Sequence, residues 1–364
     1  YISYSEYLKP RGLDKYTIRK IGWDFRTRNE FFSARMRGKE MWVTNFNKWA
    51  SDLKLTCDIN TNAPIVDLRK INGGMVLIDN QKKEYFGKLI IDCSGYAQVI
   101  STLLGIRKSK CDFLDSIYVL NNVKEMDVPA LIYGGDLMLV NCGFWYHPLE
   151  KNKALLGISE FTGKNTLTPK ELKKRLDAIK GDFYPFSKLL KKAKILEYHD
   201  DVGPTVYMHS TLVKDHYLAV GDAGGSGTPF IGDCIKEALW MADAAYDQIK
   251  KCFKENNFKR KFLLDYERKF YDEFGKYYKW NTLLRNITSK YCTNKMMDKM
   301  CIRMDTLTKQ EFYDFVSSRA TPKIIWKFIK GGILLSLMKN FFVYHITRPL
   351  GIYDIPRRPK VLSK

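Results

Sequence analysis

Two stretches of the chain join an apolar run to a break of glycine and polar residues, a combination suited to holding a ligand. The first is YLAVGDAGGSGTPFIGDCI, from Tyr217 to Ile235. The run HYLAV that opens it is almost continuously apolar, as in a strand buried within parallel sheet. It breaks at Gly221-Asp222-Ala223, and in open α/β sheets ligands bind beyond the C-terminal ends of the strands. Gly224, Gly225, Gly227 and Gly232 remove side chains, so a flat or phosphorylated ligand can touch the main chain. Pro229 stiffens the loop. The helix expected from about Asp233 offers backbone N–H groups and the positive end of its dipole. Its apolar face is read as Ile235, Ala238, Leu239, Ala242, Ala245 and Ile249. Asp222 suits a hydrogen bond from a ligand hydroxyl. The competing reading is a tight strand–helix turn without a ligand, but four glycines, a proline and an aspartate exceed what a turn requires.

The second stretch, KLIIDCSGYAQVISTLLGI from Lys88 to Ile106, has the same order: apolar strand, a break at Ser94-Gly95, then a helix. By itself it is an ordinary strand–helix turn as much as a site.

The elements that must position these breaks are read from periodicity and turn residues. Residues 16–44 are strand-like, and NFNKWASDL is a short helix that Asn45 can cap. Strands follow in PIVDLRKI, GGMVLID and EYFGKLIIDCSG. Residues 117–160 are strand-rich again, in SIYVLNNV, DLMLVNCGFWYHP and ALLGISEF. TPKELKKRLDAIK is a helix with Thr168 as cap, Pro169 in its first turn and Glu171 at the capping-box position. From about residue 234 onward the chain reads as almost all helical. No internal repeat or low-complexity linker separates these parts, so the domains are expected to be interleaved.

The chain has 364 residues, 45% of them hydrophobic and 14% aromatic, enough for two or three structural units with a large core. Its formal net charge of +21 is read either as a surface for anionic partners (nucleic acid, membrane or phosphorylated substrates) or as the mark of a lysine-rich proteome. The eight cysteines include no CxxC pair, so no metal site is expected, and a reduced, cytoplasmic chain is the default. No stretch reaches the roughly 18 uncharged apolar residues of a membrane span.

Taken together, the two breaks resemble those of FAD-dependent oxidoreductases of the p-hydroxybenzoate hydroxylase superfamily. The second break resembles the family's Gly-Asp motif, which implies that Asp222 contacts the ribityl chain of FAD. Pro229 and Gly232 would then flank the isoalloxazine ring. Ser94-Gly95-Tyr96 is similar to the Ser-Gly-Tyr variant typical of the geranylgeranyl reductase branch. CGFWYHPLEKNKALLGIS, from Cys142, resembles that branch's aromatic segment. This implies that Phe144, Trp145, Tyr146, His147 and Pro148 line a substrate cavity. The implied cofactor set is Ser94, Gly95, Gly221, Asp222, Ala223, Gly224, Pro229, Gly232, Asp233, Cys234 and Ile235. The resemblance spans roughly residues 40–250.

The implied fold is α/β (α+β): a Rossmann-like three-layer FAD domain interleaved with an antiparallel-sheet substrate domain, plus a helical C-terminal region. The expected parts are 43–112 with 197–257 for FAD, 1–42 with 113–196 for substrate, and 258–364 for the helices. Three features depart from the family. No GxGxxG turn is present, and a fragment lacking its N-terminal segment is the expectation. The usual Gly-x-Gly-Ile reads Gly232-Asp233-Cys234-Ile235. Val43 stands where the family often has an arginine.

The activity implied is saturation of geranylgeranyl double bonds in a lipid or diphosphate, with an unidentified electron donor and no nucleic-acid partner. Alternatives are a flavin-dependent monooxygenase or halogenase, and a non-catalytic lipid-binding remnant. His147 is read either as a proton donor or phosphate contact, or as an ordinary strand-end histidine. Cys93 and Cys142 are read as packed thiols. KIIWKFIKGGILLSLMKNFFVYHI, residues 323–346, is read either as lying at a membrane interface, giving peripheral membrane contact, or as a core helix pair broken at Gly331-Gly332.

Overall fold

The structure, a computed structural model, describes residues 8–21, 23–26, 31–33, 41–53, 56–106, 112–124, 130–133, 142–149, 152–161, 168–182, 186–204, 211–229, 232, 234–291, 294–316, 319–330 and 332–347. The chain divides into two compact units: residues 1–49, 113–202 and 280–364 in one, and 50–112 and 203–279 in the other. Each unit is therefore assembled from separated segments.

The first unit is built on a seven-stranded sheet. In spatial order its strands are Lys194–Pro204, Asp112–Asn121, Lys153–Phe161, Cys142–Pro148, Ala130–Tyr133, Trp23–Arg26 and Phe31–Ser33. The central pairs are antiparallel, while Ala130–Tyr133 runs parallel to Trp23–Arg26. Strand alternation sends Tyr118, Leu120, Phe144, Tyr146, Leu156 and Ile158 to one face. There they pack with Leu172, Leu176 and Ile179 of the helix Pro169–Asp182. That helix starts as expected: the Thr168 N–H donates to the Glu171 carboxylate at 2.8 Å, and the Glu171 N–H donates to the Thr168 hydroxyl at 3.3 Å. Asn45 likewise caps the helix Phe46–Asp52 by accepting from the Lys48 N–H at 2.9 Å.

The second unit has three layers. Its middle layer is the sheet Val213–Lys214, Tyr217–Ala219 and Ile90–Asp92. Leu218 faces a cluster with Met241, Leu263, Phe270 and Phe274 from the helices Ile235–Lys254 and Arg260–Phe270 and the turn after them. Tyr217 and Ala219 face the opposite way, towards Met75, Ile100 and Leu104. Those residues come from the meander Ile65–Ile71, Gly74–Asp79 and Glu84–Gly87 and from the short helix Val99–Leu103. Burial on both faces explains the unbroken apolar text of the Tyr217–Ala219 strand.

Two expectations change. EYFGKLIIDCSG is not one strand but two, Glu84–Gly87 and Ile90–Asp92, which belong to different sheets. The helix Ile235–Lys254 buries Lys236, Glu237, Met241, Ala244, Ala245, Gln248 and Cys252, whereas Ile235 is 42% exposed and Ala242 is also exposed. Of the expected face, only Ala245 is fully buried. Polar Glu237 and Gln248 occupy core positions that an apolar pattern cannot mark.

Candidate functional site

The two breaks meet. Tyr217–Ala219 and Ile90–Asp92 are parallel neighbours, with Tyr217 opposite Ile90 and Ala219 opposite Asp92. Parallel pairing puts both C-terminal ends at one sheet edge, so Ser94-Gly95 and Gly221-Asp222 emerge side by side. The Val220 N–H donates to the Asp92 carbonyl at 2.9 Å, extending the ladder into the breaks. The Gln98 amide donates to the Asp222 carbonyl at 3.2 Å and ties the loops together.

The first loop is organised by Asp92, which the sequence reading passed over. This carboxylate is 2% exposed. It accepts from the Ser94 N–H and hydroxyl, the Ser101 N–H and the Tyr217 hydroxyl. Beside this carboxylate the Tyr217 phenol is held well above its ordinary range, chiefly by burial and then by the Asp92 charge. The Ser94 hydroxyl donates to Asp92 at 2.6 Å and accepts from the Val99 N–H at 2.9 Å, so it shapes the turn. Gly95 has φ +60°, which glycine adopts readily.

The second loop, Gly221 to Pro229, is buried throughout except for the half-buried Asp222. Its glycines have reasons within the protein. Gly221 has φ +65°, and a Cβ there would lie 3.4 Å from Ala238. A Cβ on Gly224 would come within 2.8 Å of Leu212. Two tyrosines from later helices hold the main chain on either side. Tyr266 donates to the Ala219 carbonyl at 2.7 Å, and Tyr278 donates to the Ser226 carbonyl at 2.6 Å.

The loop also carries two buried hydroxyls that the sequence reading missed. Ser226 is fully buried and Thr228 is 2% exposed, and neither hydroxyl has a hydrogen-bond partner among the described residues. Buried polar groups are nearly always satisfied, so each exception calls for an explanation, and a bound ligand is one. Hydroxyls can donate or accept, which suits a ligand rich in carbonyl, imide and hydroxyl groups. A dinucleotide flavin is such a ligand.

Beyond the loop, Gly232 has φ +81° and donates its N–H to the Thr228 carbonyl at 3.0 Å. Cys234 is the N-cap residue of the helix and makes no side-chain cap. Asp233 lies outside the described residues. In the helix's first turn Lys236 and Glu237 form a buried ion pair at 3.1 Å, with the Lys236 ammonium 5.1 Å from the centre of the Phe274 ring.

The aromatic segment lies in the first unit, and its strand divides the five expected substrate residues between two faces. Phe144 and Tyr146 are 0% and 2% exposed in the core against the helix Pro169–Asp182, and Pro148 is buried with them. They are packing residues, because the period of two sends even positions inward. Trp145 and His147 take the opposite, half-buried face, their rings edge-on at 5.0 Å. The Trp145 indole donates to the Ser159 hydroxyl at 2.9 Å and lies over Gly157, where a Cβ would come within 2.3 Å of the ring. Burial lowers His147 to about 4, which favours the neutral ring at pH 7. Of the thiols, Cys93 is exposed, not packed. Among the described residues no cluster of side chains could hold a metal ion.

No protein-family model matches the chain, and no curated protein does. Solved structures do. A geranylgeranyl bacteriochlorophyll reductase-like protein from Thermoplasma acidophilum superposes with a TM-score of 0.72 at 17% identity, over 90% of this chain and 84% of that one. A flavoprotein/dehydrogenase from Cytophaga hutchinsonii gives 0.60 at 14% identity, over 91% of this chain and 85% of that one. The halogenase PltM, in complex with phloroglucinol and FAD, gives 0.63 at 12% identity, over 94% of this chain and 79% of that one. The chain has the fold shared by these flavin-dependent oxidoreductases.

Proposed function

We propose that this chain is an FAD-dependent oxidoreductase, and that its substrate is the unsaturated chain of an isoprenoid such as geranylgeranyl. One observation carries the flavin reading: two glycine breaks stand at the ends of adjacent parallel strands and are tied by the Gln98–Asp222 bond. The unpartnered hydroxyls of Ser226 and Thr228 support it, because they lie in the loop that would meet the ligand. When bound, FAD supplies two-electron redox chemistry that no side chain provides. The protein's own part is to hold it. Asp222 would accept a hydrogen bond from a ligand hydroxyl, and Ser226 and Thr228 would complete theirs. Asp92, Tyr266 and Tyr278 keep the two loops in register.

The isoprenoid reading rests on the Ser94-Gly95-Tyr96 break, on the aromatic segment, and on the likeness to the archaeal reductase-like protein. Trp145 is the residue of that segment suited to a long apolar chain, since Phe144 and Tyr146 are committed to the core. The halogenase likeness supports a second reading, flavin-dependent attack on an aromatic substrate. Anaerobic assay with reduced FAD separates the two: alkene saturation needs no oxygen, and halogenation needs oxygen and halide.

Purified protein titrated with FAD is expected to quench flavin fluorescence saturably. Asp222→Ala is expected to weaken binding about tenfold or more, since a lost hydrogen bond to a charged group is worth roughly 1.5–3 kcal/mol. Equal affinity in parent and variant counts against Asp222 as a ligand contact.

A further inference from the structure

The last two described helices, Pro322–Ile329 and Gly332–Thr347, expose large apolar side chains. Each has a proper core face: Ile324, Ile325 and Phe328 in the first, Ile333 and Leu337 in the second, all below 9% exposed. Their outer faces mix lysines with large apolar side chains. Trp326 is 52% exposed, Leu335 70%, Met338 49%, Phe341 45% and Phe342 56%. A surface helix normally turns charged and polar residues outward, so large apolar side chains concentrated on an outer face point to something that covers them. Scattered exposed apolar residues need no explanation, but these share faces. Leu335, Met338 and Phe342 follow the i, i+3, i+7 spacing of one helical stripe, with Lys339 beside them.

Charge identifies what covers them. Between Asp314 and Asp354 the sequence has no acidic residue, whereas Arg319, Lys323, Lys327, Lys330, Lys339 and Arg348 fall in that interval. Lys327 is paired with Glu311. Lys323, Lys330 and Lys339 are exposed, and Lys323 and Lys330 flank Trp326 on its own helical stripe. Tryptophan and phenylalanine interleaved with lysine match a lipid interface, where rings enter the headgroup boundary and ammonium groups reach the phosphates. A protein partner would need an acidic surface with a deep apolar groove; an anionic bilayer supplies both chemistries at once. Among the described residues no helix is long and apolar enough to cross a membrane, so these helices would lie on the surface.

We propose that the outer faces of Pro322–Ile329 and Gly332–Thr347 dock this protein onto the surface of a bilayer containing anionic lipid. The proposal is independent of the flavin reading, because the binding it describes needs neither cofactor nor turnover.

The test is co-sedimentation with vesicles of phosphatidylcholine alone and with about one-third phosphatidylglycerol. The parent protein is expected to bind the mixed vesicles at least tenfold more tightly than the neutral ones, with affinity falling as salt rises. The double variant Leu335→Ser, Phe342→Ser alters exposed positions and is expected to keep its far-ultraviolet spectrum and melting temperature. It should lose at least tenfold in vesicle affinity. Lys330→Glu with Lys339→Glu should lose a similar factor on mixed vesicles and nothing on neutral ones. Failure of the parent to bind mixed vesicles overturns the proposal, as does unchanged affinity in the folded apolar variant. Self-association of the parent that the apolar variant abolishes, without vesicle binding, assigns the face to a second copy of the chain instead.

Discussion

Asp115 and His147 share the half-buried face of the large sheet, and their titrations oppose each other. Burial raises Asp115 to about 7; a hydrogen bond from Ser159 works against the shift, and the nearby Asp201 adds to it. Its folded value lies above the ordinary 3.8, so its contribution to stability is complete below about 3.8 and is lost as pH rises towards 7 and beyond. His147 is lowered from 6.5 to about 4, so its contribution is complete above 6.5 and is lost as pH falls through about 4. Each full excursion is at most on the order of 3–5 kcal/mol. The strand Lys153–Phe161 lies between theirs, and across it Asp115 stands level with Gly143, four residues from His147; that offset alone is roughly 13 Å, far enough for the two to act additively. Asp115→Asn is therefore expected to gain stability over the parent progressively from pH 4 to pH 7. His147→Gln is expected to gain over the parent as pH falls from 6.5 to 4. Denaturant midpoints across that range measure both, and parallel curves for parent and variants would rule out these titrations as determinants of stability.

At the level of elements, what the sequence revealed was what is decided locally. Asn45 and the Thr168–Glu171 pair mark helix starts because a cap bonds within three residues of itself. The Tyr217–Ala219 strand is legible because burial on both faces leaves no polar position in it. The two breaks are legible because a positive φ at Gly95 and Gly221 calls for glycine. What binds the breaks together is not local. Asp92 looks like an ordinary strand-end aspartate until Tyr217, brought alongside it by the parallel pairing, donates to it at 3.1 Å. Tyr266 and Tyr278 reach the glycine loop from helices about 50 residues downstream and carry no sequence mark of that task. In the aromatic segment resemblance gives membership, and strand alternation lets only one of Phe144 and Trp145 face a given side, but which one turns outward is decided by the packing of the sheet against the helix Pro169–Asp182. Two substitutions test these longer links. Tyr278→Phe removes the donor to the buried Ser226 carbonyl, at an expected cost of roughly 1–3 kcal/mol. It should also raise amide exchange across residues 221–229 while leaving the large sheet unchanged. Gly157→Ala drives a methyl group into the Trp145 ring, and overpacking of this kind costs about 1–3 kcal/mol. A tryptophan emission maximum and a midpoint both identical to the parent would show that the ring has room to move.

Over the whole molecule, 61 lysine and arginine residues against 40 aspartate and glutamate leave a formal charge of +21. Two effects of salt then compete. Screening weakens the self-repulsion of the excess cations, which favours the compact state. It also weakens the ion pairs. Among the described residues many are exposed, as with Arg69–Glu84, Lys173–Asp177, Lys250–Asp247 and Arg268–Asp265, whose side chains are each more than 40% accessible. Exposed pairs contribute little, from nothing to about 1 kcal/mol each. A buried pair, Lys236–Glu237, is shielded from mobile ions by the core around it. The Debye length shrinks from about 30 Å at 0.01 M to about 8 Å at 0.15 M, so repulsion between distant lysines is removed across that range while contacts at 3 Å persist. Repulsion is therefore the larger salt-sensitive effect, and the melting temperature is expected to rise by a few degrees from 0.01 M to 0.15 M sodium chloride. The gain should be smaller in a variant with several exposed lysines of residues 170–192 changed to glutamine, because less repulsion remains to screen. A melting temperature that falls with salt in the parent would mean that the exposed pairs, not the excess charge, govern how this molecule responds to its ionic surroundings.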